Sequence, residues 1–267
     1  MIISNQIEHL RNLYNELNYD EVIQFATITL QMAFENKRYE DALSCYEYLL
    51  SALIEEGKYE DFSRVMKNYE NLCLTYGEDK NKMNFYYLLS LSNTMLMNYE
   101  EAILTAKKSI QYAHYLNDDE LVVINYANMA SQYLLLGHVE KAKMAIELSD
   151  YYKNKIHKHR MTVVRASVGA LYYYAETGNK QKFLQVKENY LQTINERHVF
   201  YIANISIVEG VLMFRMDEIV EKLVCMDISL NEKYSASVGT SVFRIAVKTQ
   251  EENTILINAI SSILENN

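Results

Sequence analysis

Few side chains in this 267-residue chain are spaced for chemistry. Adjacent acids occur at Glu55-Glu56, Asp118-Asp119 and Glu251-Glu252, each beside a turn. There they read as caps and solvated helix ends rather than as a general acid–base pair. The run KNKIHKHR, residues 153–160, would attract phosphate or an acidic partner, and His157 with His159 would supply two metal ligands. No third ligand accompanies them, and positive charge after a helix C-terminus is ordinary helix chemistry. Cys45, Cys73 and Cys225 are odd in number and far apart, which fits neither a metal site nor a disulfide framework. Tyr172, Tyr173 and Tyr174 point three ways on a helix and read as packing between elements. The sequence contains no phosphate loop, HExxH helix, nucleophile elbow or kinase signature. A non-catalytic chain with no cofactor and no metal is expected.

Bulk properties narrow the partners. The formal net charge is −9, whereas a nucleic-acid binder carries a basic face, so no nucleic acid is expected. No basic-then-apolar leader opens the chain, and no apolar run approaches the ~18 residues of a membrane span. The sparse cysteines suit a reducing, cytoplasmic setting. Proline is absent and glycine occurs only 7 times, a composition that favours helix over turn-rich sheet.

The elements are clearest over 118–152. Asn117 is placed to cap a helix whose Val122, Tyr126, Met129, Ala130, Tyr133 and Leu136 form a helical stripe. Gly137 ends it, since glycine tolerates the left-handed cap conformation. A second helix follows at once, with Val139, Ala142, Ala145, Ile146, Ser149 and Tyr152 on one face. So short a link lays the two helices back to back. Ala130 and Ala142 allow close approach, and Tyr126 and Tyr133 fill the space beside them.

One helix pair cannot bury its own apolar face, so repeats are required. Tyr19, Tyr59, Tyr99 and Val139 follow at steps of 40, as do Tyr46, Tyr86 and Tyr126, and the small residues Ser90, Ala130, Ala170 and Gly210. The segment RYEDAL at 38–43 repeats the turn signature 20 residues out of phase and marks the start of another helix with similar capping. Helices are expected at 2–16, 18–34, 38–56, 59–76, 80–96, 99–116, 118–136, 138–154, 160–177, 179–194, 197–214, 217–229, 234–248 and 253–265. That makes about seven antiparallel pairs in one all-α superhelix, with boundaries good to about 2–4 residues. No linker or low-complexity segment divides it. A single domain over 1–267 is expected, with clear repeats at 40–195 and atypical end units at 1–37 and 196–267.

Tyr126, Ala130, Gly137, Val139 and Ala142, and again Tyr86, Ser90, Met97, Tyr99 and Ala102, carry an aromatic, small, turn, tyrosine (valine in the first set), small pattern. It resembles the tetratricopeptide repeat (TPR). The period of 40 exceeds that family's usual figure of about 34, through longer helices, and the proline that often ends each unit is missing. TPR proteins with such long repeats are similar to those of bacterial signalling. These include the sensory N-terminal regions of diguanylate cyclases and the peptide-pheromone regulators. Neither a separable helix-turn-helix nor a GGDEF signature is present, so a fragment or stand-alone relative is expected.

The resemblance implies a right-handed solenoid whose concave groove, lined by the first helix of each pair, binds a protein or short peptide. It places Asn84, Tyr87, Leu91, Ile124, Asn128, Ser131, Arg165, Tyr172 and Asn204 on that groove. Asn128 falls where this family sets an asparagine against a bound peptide backbone, and its amide offers both donor and acceptor. A structural scaffold or homodimer is the alternative. It predicts an apolar patch on an end or outer face instead.

Overall fold

Seven of the corners between helices follow one rule. Leu17, Lys37, Gly57, Met97, Asn117, Gly137 and Gly178 all adopt positive φ, between 54° and 76°. Through Gly137 they fall on a 20-residue grid, with Gly178 at 41 from Gly137. At each corner the left-handed residue donates its N–H three residues back, and the next residue donates five residues back. Gly57 N to Ile54 O at 3.0 Å and Lys58 N to Leu53 O at 2.8 Å are one instance. Gly137 N to Leu134 O at 2.9 Å and His138 N to Tyr133 O at 2.8 Å are another. This is the Schellman arrangement, which satisfies the last carbonyls of a helix. Acidic pairs then open the next helix: Asp20 and Glu21, Glu40 and Asp41, Glu60 and Asp61, Glu100 and Glu101. Their charge suits the positive end of the helix dipole. The out-of-phase RYEDAL motif is thus the same corner, used between pairs as well as within them.

The structure, a computed structural model, describes residues 2–156, 160–194 and 199–215. These form α1 (Ile2–Asn15), α2 (Tyr19–Glu35), α3 (Tyr39–Glu55), α4 (Tyr59–Tyr76), α5 (Asp79–Met95), α6 (Tyr99–Leu116), α7 (Asp119–Leu135), α8 (Val139–Lys153), α9 (Arg160–Glu176), α10 (Lys180–Thr193) and α11 (Val199–Arg215). The helices expected at 217–229, 234–248 and 253–265, with Cys225, lie outside the described residues. So do His157, His159 and the acids at 251–252. No described helix is long and apolar enough to cross a membrane.

Two corners depart from expectation. Asn117 does not cap α7; it is the left-handed residue that ends α6, and Asp118 is the cap, its Oδ1 accepting from Leu121 N at 3.0 Å. Gly77 keeps an extended backbone at φ −73°. There Glu78 and Asn81 form a reciprocal capping box that turns the chain into α5.

Packing repeats as the corners do. Ala102 and Ala142 are fully buried, and the matching positions in α4 and α10 carry Phe62 and Phe183. Ser109 donates to Met83 O and Ser149 to Val123 O, both at 3.0 Å, tying the second helix of a pair to the first. In the flanking pairs a tyrosine takes that position and reaches forward. Tyr69 donates to Asn81 O at 3.1 Å and Tyr190 to Tyr201 O at 3.0 Å. Stacked rings recur too, Tyr86 on Tyr112 at 5.9 Å and Tyr126 on Tyr152 at 6.1 Å. Between pairs, α7 meets α9 so closely that a Cβ on Gly169 would lie 2.3 Å from Ala127 O.

Candidate functional site

On α7 the expected groove positions Ile124, Asn128 and Ser131 follow at helical spacing, and α5 offers Asn84, Tyr87 and Leu91. The structure separates them by what each already does. Ile124 is buried at 6% exposure, so it is part of the core rather than an open lining residue. Asn84 is half-buried and donates to Glu47 Oε2 at 2.8 Å. Glu47 also accepts from Tyr69 Oη and Asn81 Nδ2, both at 3.0 Å. Burial raises the Glu47 pKa, and those three donors oppose the rise. Asn128 and Ser131 are half-buried, and neither side chain makes a hydrogen bond among the described residues. Leu91 is half-buried beside them in the repeat register, and Asn204 is half-buried on α11.

Arg165 and Tyr87 are drawn into a different constellation. Arg165 is the only charge in the stretch MTVVRASVGALYYYA, and an apolar helix must find such a group a partner. Its Nη2 lies 2.8 Å from Glu55 Oε1 at the end of α3, with side-chain exposures of 22% and 5% respectively. Its Nε donates to Tyr201 Oη at 3.2 Å. Tyr201 Oη in turn donates to Glu55 Oε1 at 2.9 Å, which closes a triangle. Arg165 Nη2 also donates to Tyr14 Oη on α1. Burial opposes the guanidinium charge, yet Tyr14, Tyr201, Glu55 and Tyr87 outweigh it and hold the Arg165 pKa above its ordinary value. The Tyr14 phenol is pushed up to about 12, chiefly by burial. Burial likewise raises Tyr87 and Tyr201.

Glu55, Tyr14 and Tyr201 were not among the expected site residues. Glu55 is not a solvated helix end. Its partner lies 110 residues away, beyond any local pattern. The one available signal was Arg165 itself, stranded in an apolar helix. Tyr172 is half-buried against a core of Val164, Leu171, Phe183 and Tyr190, and burial pushes its phenol up to about 12. Tyr173 and Tyr174 pack on the neighbouring core of Ala142, Ala145 and Ala170. Of the basic run, Lys153 pairs with Asp150, and Lys155 Nζ sits 4.0 Å from the Tyr151 ring centroid. Among the described residues, no three His, Cys, Asp or Glu side chains come together as metal ligands.

No family model and no curated protein matches the sequence. Solved structures do. A Podosopora anserina putative kinesin light chain with nearly identical TPR-like repeats is similar over 72% of this chain and 94% of its own, at 12% identity and a TM-score of 0.50. A point variant of that protein gives 72%, 93%, 13% and 0.51. BtubC (BKLC) from P. vanneervenii aligns over 93% of this chain and 98% of its own, at 11% identity and a TM-score of 0.48. With helices in tandem, Schellman corners on a common grid and the two Podosopora anserina structures at TM-scores of 0.50 and 0.51, the chain has the TPR-like helical-repeat fold.

Proposed function

We propose that this chain is a non-catalytic protein-interaction module, one continuous helical array that takes an extended segment of a partner along the inner faces of α5 and α7. The observation that carries this reading is the unspent polar surface of α7. Asn128 and Ser131 lie one turn apart, half-buried, with no side-chain hydrogen bond among the described residues. An asparagine amide there offers a donor and an acceptor to an extended backbone, and Leu91 adds apolar contact. The comparable amide of Asn84 is already committed to Glu47. The long repeats support a place in the sensory or regulatory part of a bacterial signalling protein, or in a peptide-pheromone regulator. Buried free thiols at Cys45 and Cys73 suit a reducing cytoplasm.

The test is capture from native extract with the wild type and an Asn128→Ala, Ser131→Ala variant of unchanged helical circular dichroism. Loss of a protein or a co-purifying peptide in the variant supports the inner face. Retention at full strength overturns it. Arg165→Ala is unsuitable for this purpose, because it removes the internal contacts to Glu55, Tyr201 and Tyr14.

A second reading, self-association, has its own observation. On the outer side of α8, Met144, Leu148 and Tyr151 stand exposed at 62%, 38% and 55%, and Leu104 on α6 at 52%. These positions on α8 are one face of the helix, and apolar faces of this kind mark contact surfaces. Light scattering of the wild type against Met144→Lys decides it: a dimer that the variant lacks supports this reading, and a monomer in both samples rejects it.

A further inference from the structure

The cluster around Arg165 joins helices that a repeat stack has no need to join. In a linear array each unit touches only its neighbours. Here α9 and α11 reach α1 and α3. Arg165 meets Tyr14 across 151 residues of sequence, and Tyr201 meets Glu55 across 146. We infer that Arg165, Glu55, Tyr201 and Tyr14 form a latch that holds the array closed on its inner side, and that the array has an open state in which the latch is released.

The chemistry of the contact favours a switch over a permanent seam. An apolar seam that opens must expose its surface to water at full cost. A charge pair that opens regains hydration on both sides, so its closed and open states lie closer in free energy. The pair still demands its geometry when closed. Glu55 Oε1 takes one hydrogen from Arg165 and one from Tyr201, while Arg165 spends Nε on Tyr201 and Nη2 on Glu55 and Tyr14. Loss of any member leaves another buried and short of a partner. The side chain of Arg165 keeps 22% exposure against 5% for Glu55, so the carboxylate is the more enclosed partner of the pair. Four helices meet in the latch, and α1 is tied to it by a single phenol hydroxyl. Release would part α1 and α3, which share one buried core through Leu10 and Leu13, from α9 and α11 and let the inner side widen, an equilibrium that a ligand preferring the wider form would shift. That last consequence rests on the inner-face reading above; the latch itself does not.

Hydrogen exchange with small-angle scattering on the full chain tests the latch. In Arg165→Met, the amides of α1 and α11 should exchange faster together, by about tenfold or more, with α6–α8 unchanged and the radius of gyration larger. Folded Arg165→Met with α1 protection at the wild-type level overturns the latch. Tyr14→Phe and Tyr201→Phe each remove only one hydroxyl, so they carry the test if Arg165→Met does not fold. Faster exchange of α1 in both supports the latch, and unchanged α1 in either one overturns it. Because the readout is exchange and not capture, this result is independent of whether Asn128 and Ser131 bind a partner.

Discussion

At the scale of single residues, burial decides what each group can do. Gly169 is where α7 and α9 meet, and a methyl group there would press on the Ala127 carbonyl at 2.3 Å. Backbone cannot yield as a flexible side chain does, so Gly169→Ala should destabilise the chain by roughly 1–3 kcal/mol in urea denaturation. Gly210→Ala, with nothing within 4 Å of the new Cβ inside α11, is the control and should stabilise by up to about 1 kcal/mol. Two buried thiols set an alkaline limit. Burial pushes Cys45 from an ordinary 9.0 up to about 12, with Asp41 adding, and Cys73 up to about 11, with Glu47 adding. The unfolded chain loses these protons near 9 while the folded chain keeps them, so their stabilising effect is whole below that pH. It is lost as pH rises toward 11 and 12. The urea midpoint should stay level from neutrality to about pH 8.5 and then fall. A midpoint that rises through the same window would contradict it. Residue roles were the least legible level of the sequence. Ile124 and Arg165 both sat at expected groove positions, yet one is core and the other an internal ion pair, because burial depends on curvature that no local pattern encodes.

Among elements, the boundaries were readable to within one or two residues, and the corners explain why. An acid-rich first turn and a left-handed stop are both written locally, as in GKYED at 57–61 and GHVEK at 137–141. The role of Asn117 was misassigned for a physical reason. Asparagine serves either as an N-cap or as a left-handed stop, and only the fold shows which. The corners also invite a measurement. Met97 adopts φ 62° without being glycine, which costs about 1–2 kcal/mol. Met97→Gly should recover part of this, raising stability by about 0.5–1 kcal/mol after the entropy of glycine is counted. Gly137→Ala should move the opposite way by a similar amount, since its φ is +76°. Paired tyrosines are a second element-scale device. A double-mutant cycle on Tyr126 and Tyr152 should give a coupling of about 0.5–1.5 kcal/mol, beyond the area each ring buries. A coupling of zero would mean the stacked geometry adds nothing to burial.

For the whole molecule, the sequence disclosed a stack but not its closure. Period and pairing are properties of forty-residue windows, and so they could be read. Closure follows from small rotations accumulated over several units, and no window contains it. The latch makes a prediction at this scale. Breaking a buried ion pair by removing one member typically costs about 3–5 kcal/mol, and Glu55→Gln should approach the lower end because its amide can still accept from Arg165 and Tyr201. Urea denaturation followed separately by circular dichroism and by tyrosine fluorescence should give coincident transitions for the wild type and separated ones for Arg165→Met. Coincident transitions in both would mean that the array unfolds as one unit without the latch.

The twenty-residue corner has a consequence for how such a chain can change. The left-handed corners within and between pairs share the same hydrogen bonds, so gaining or losing one helix with such a corner leaves those joints intact. It nevertheless exchanges inside for outside along all that follows: helices built to face the cavity would face water, and the residues of the latch would point away from one another. Local geometry thus tolerates a change of one helix that burial forbids. Descent by duplication is therefore confined to even numbers of helices, and a recombinant carrying an odd number would form helices without closing.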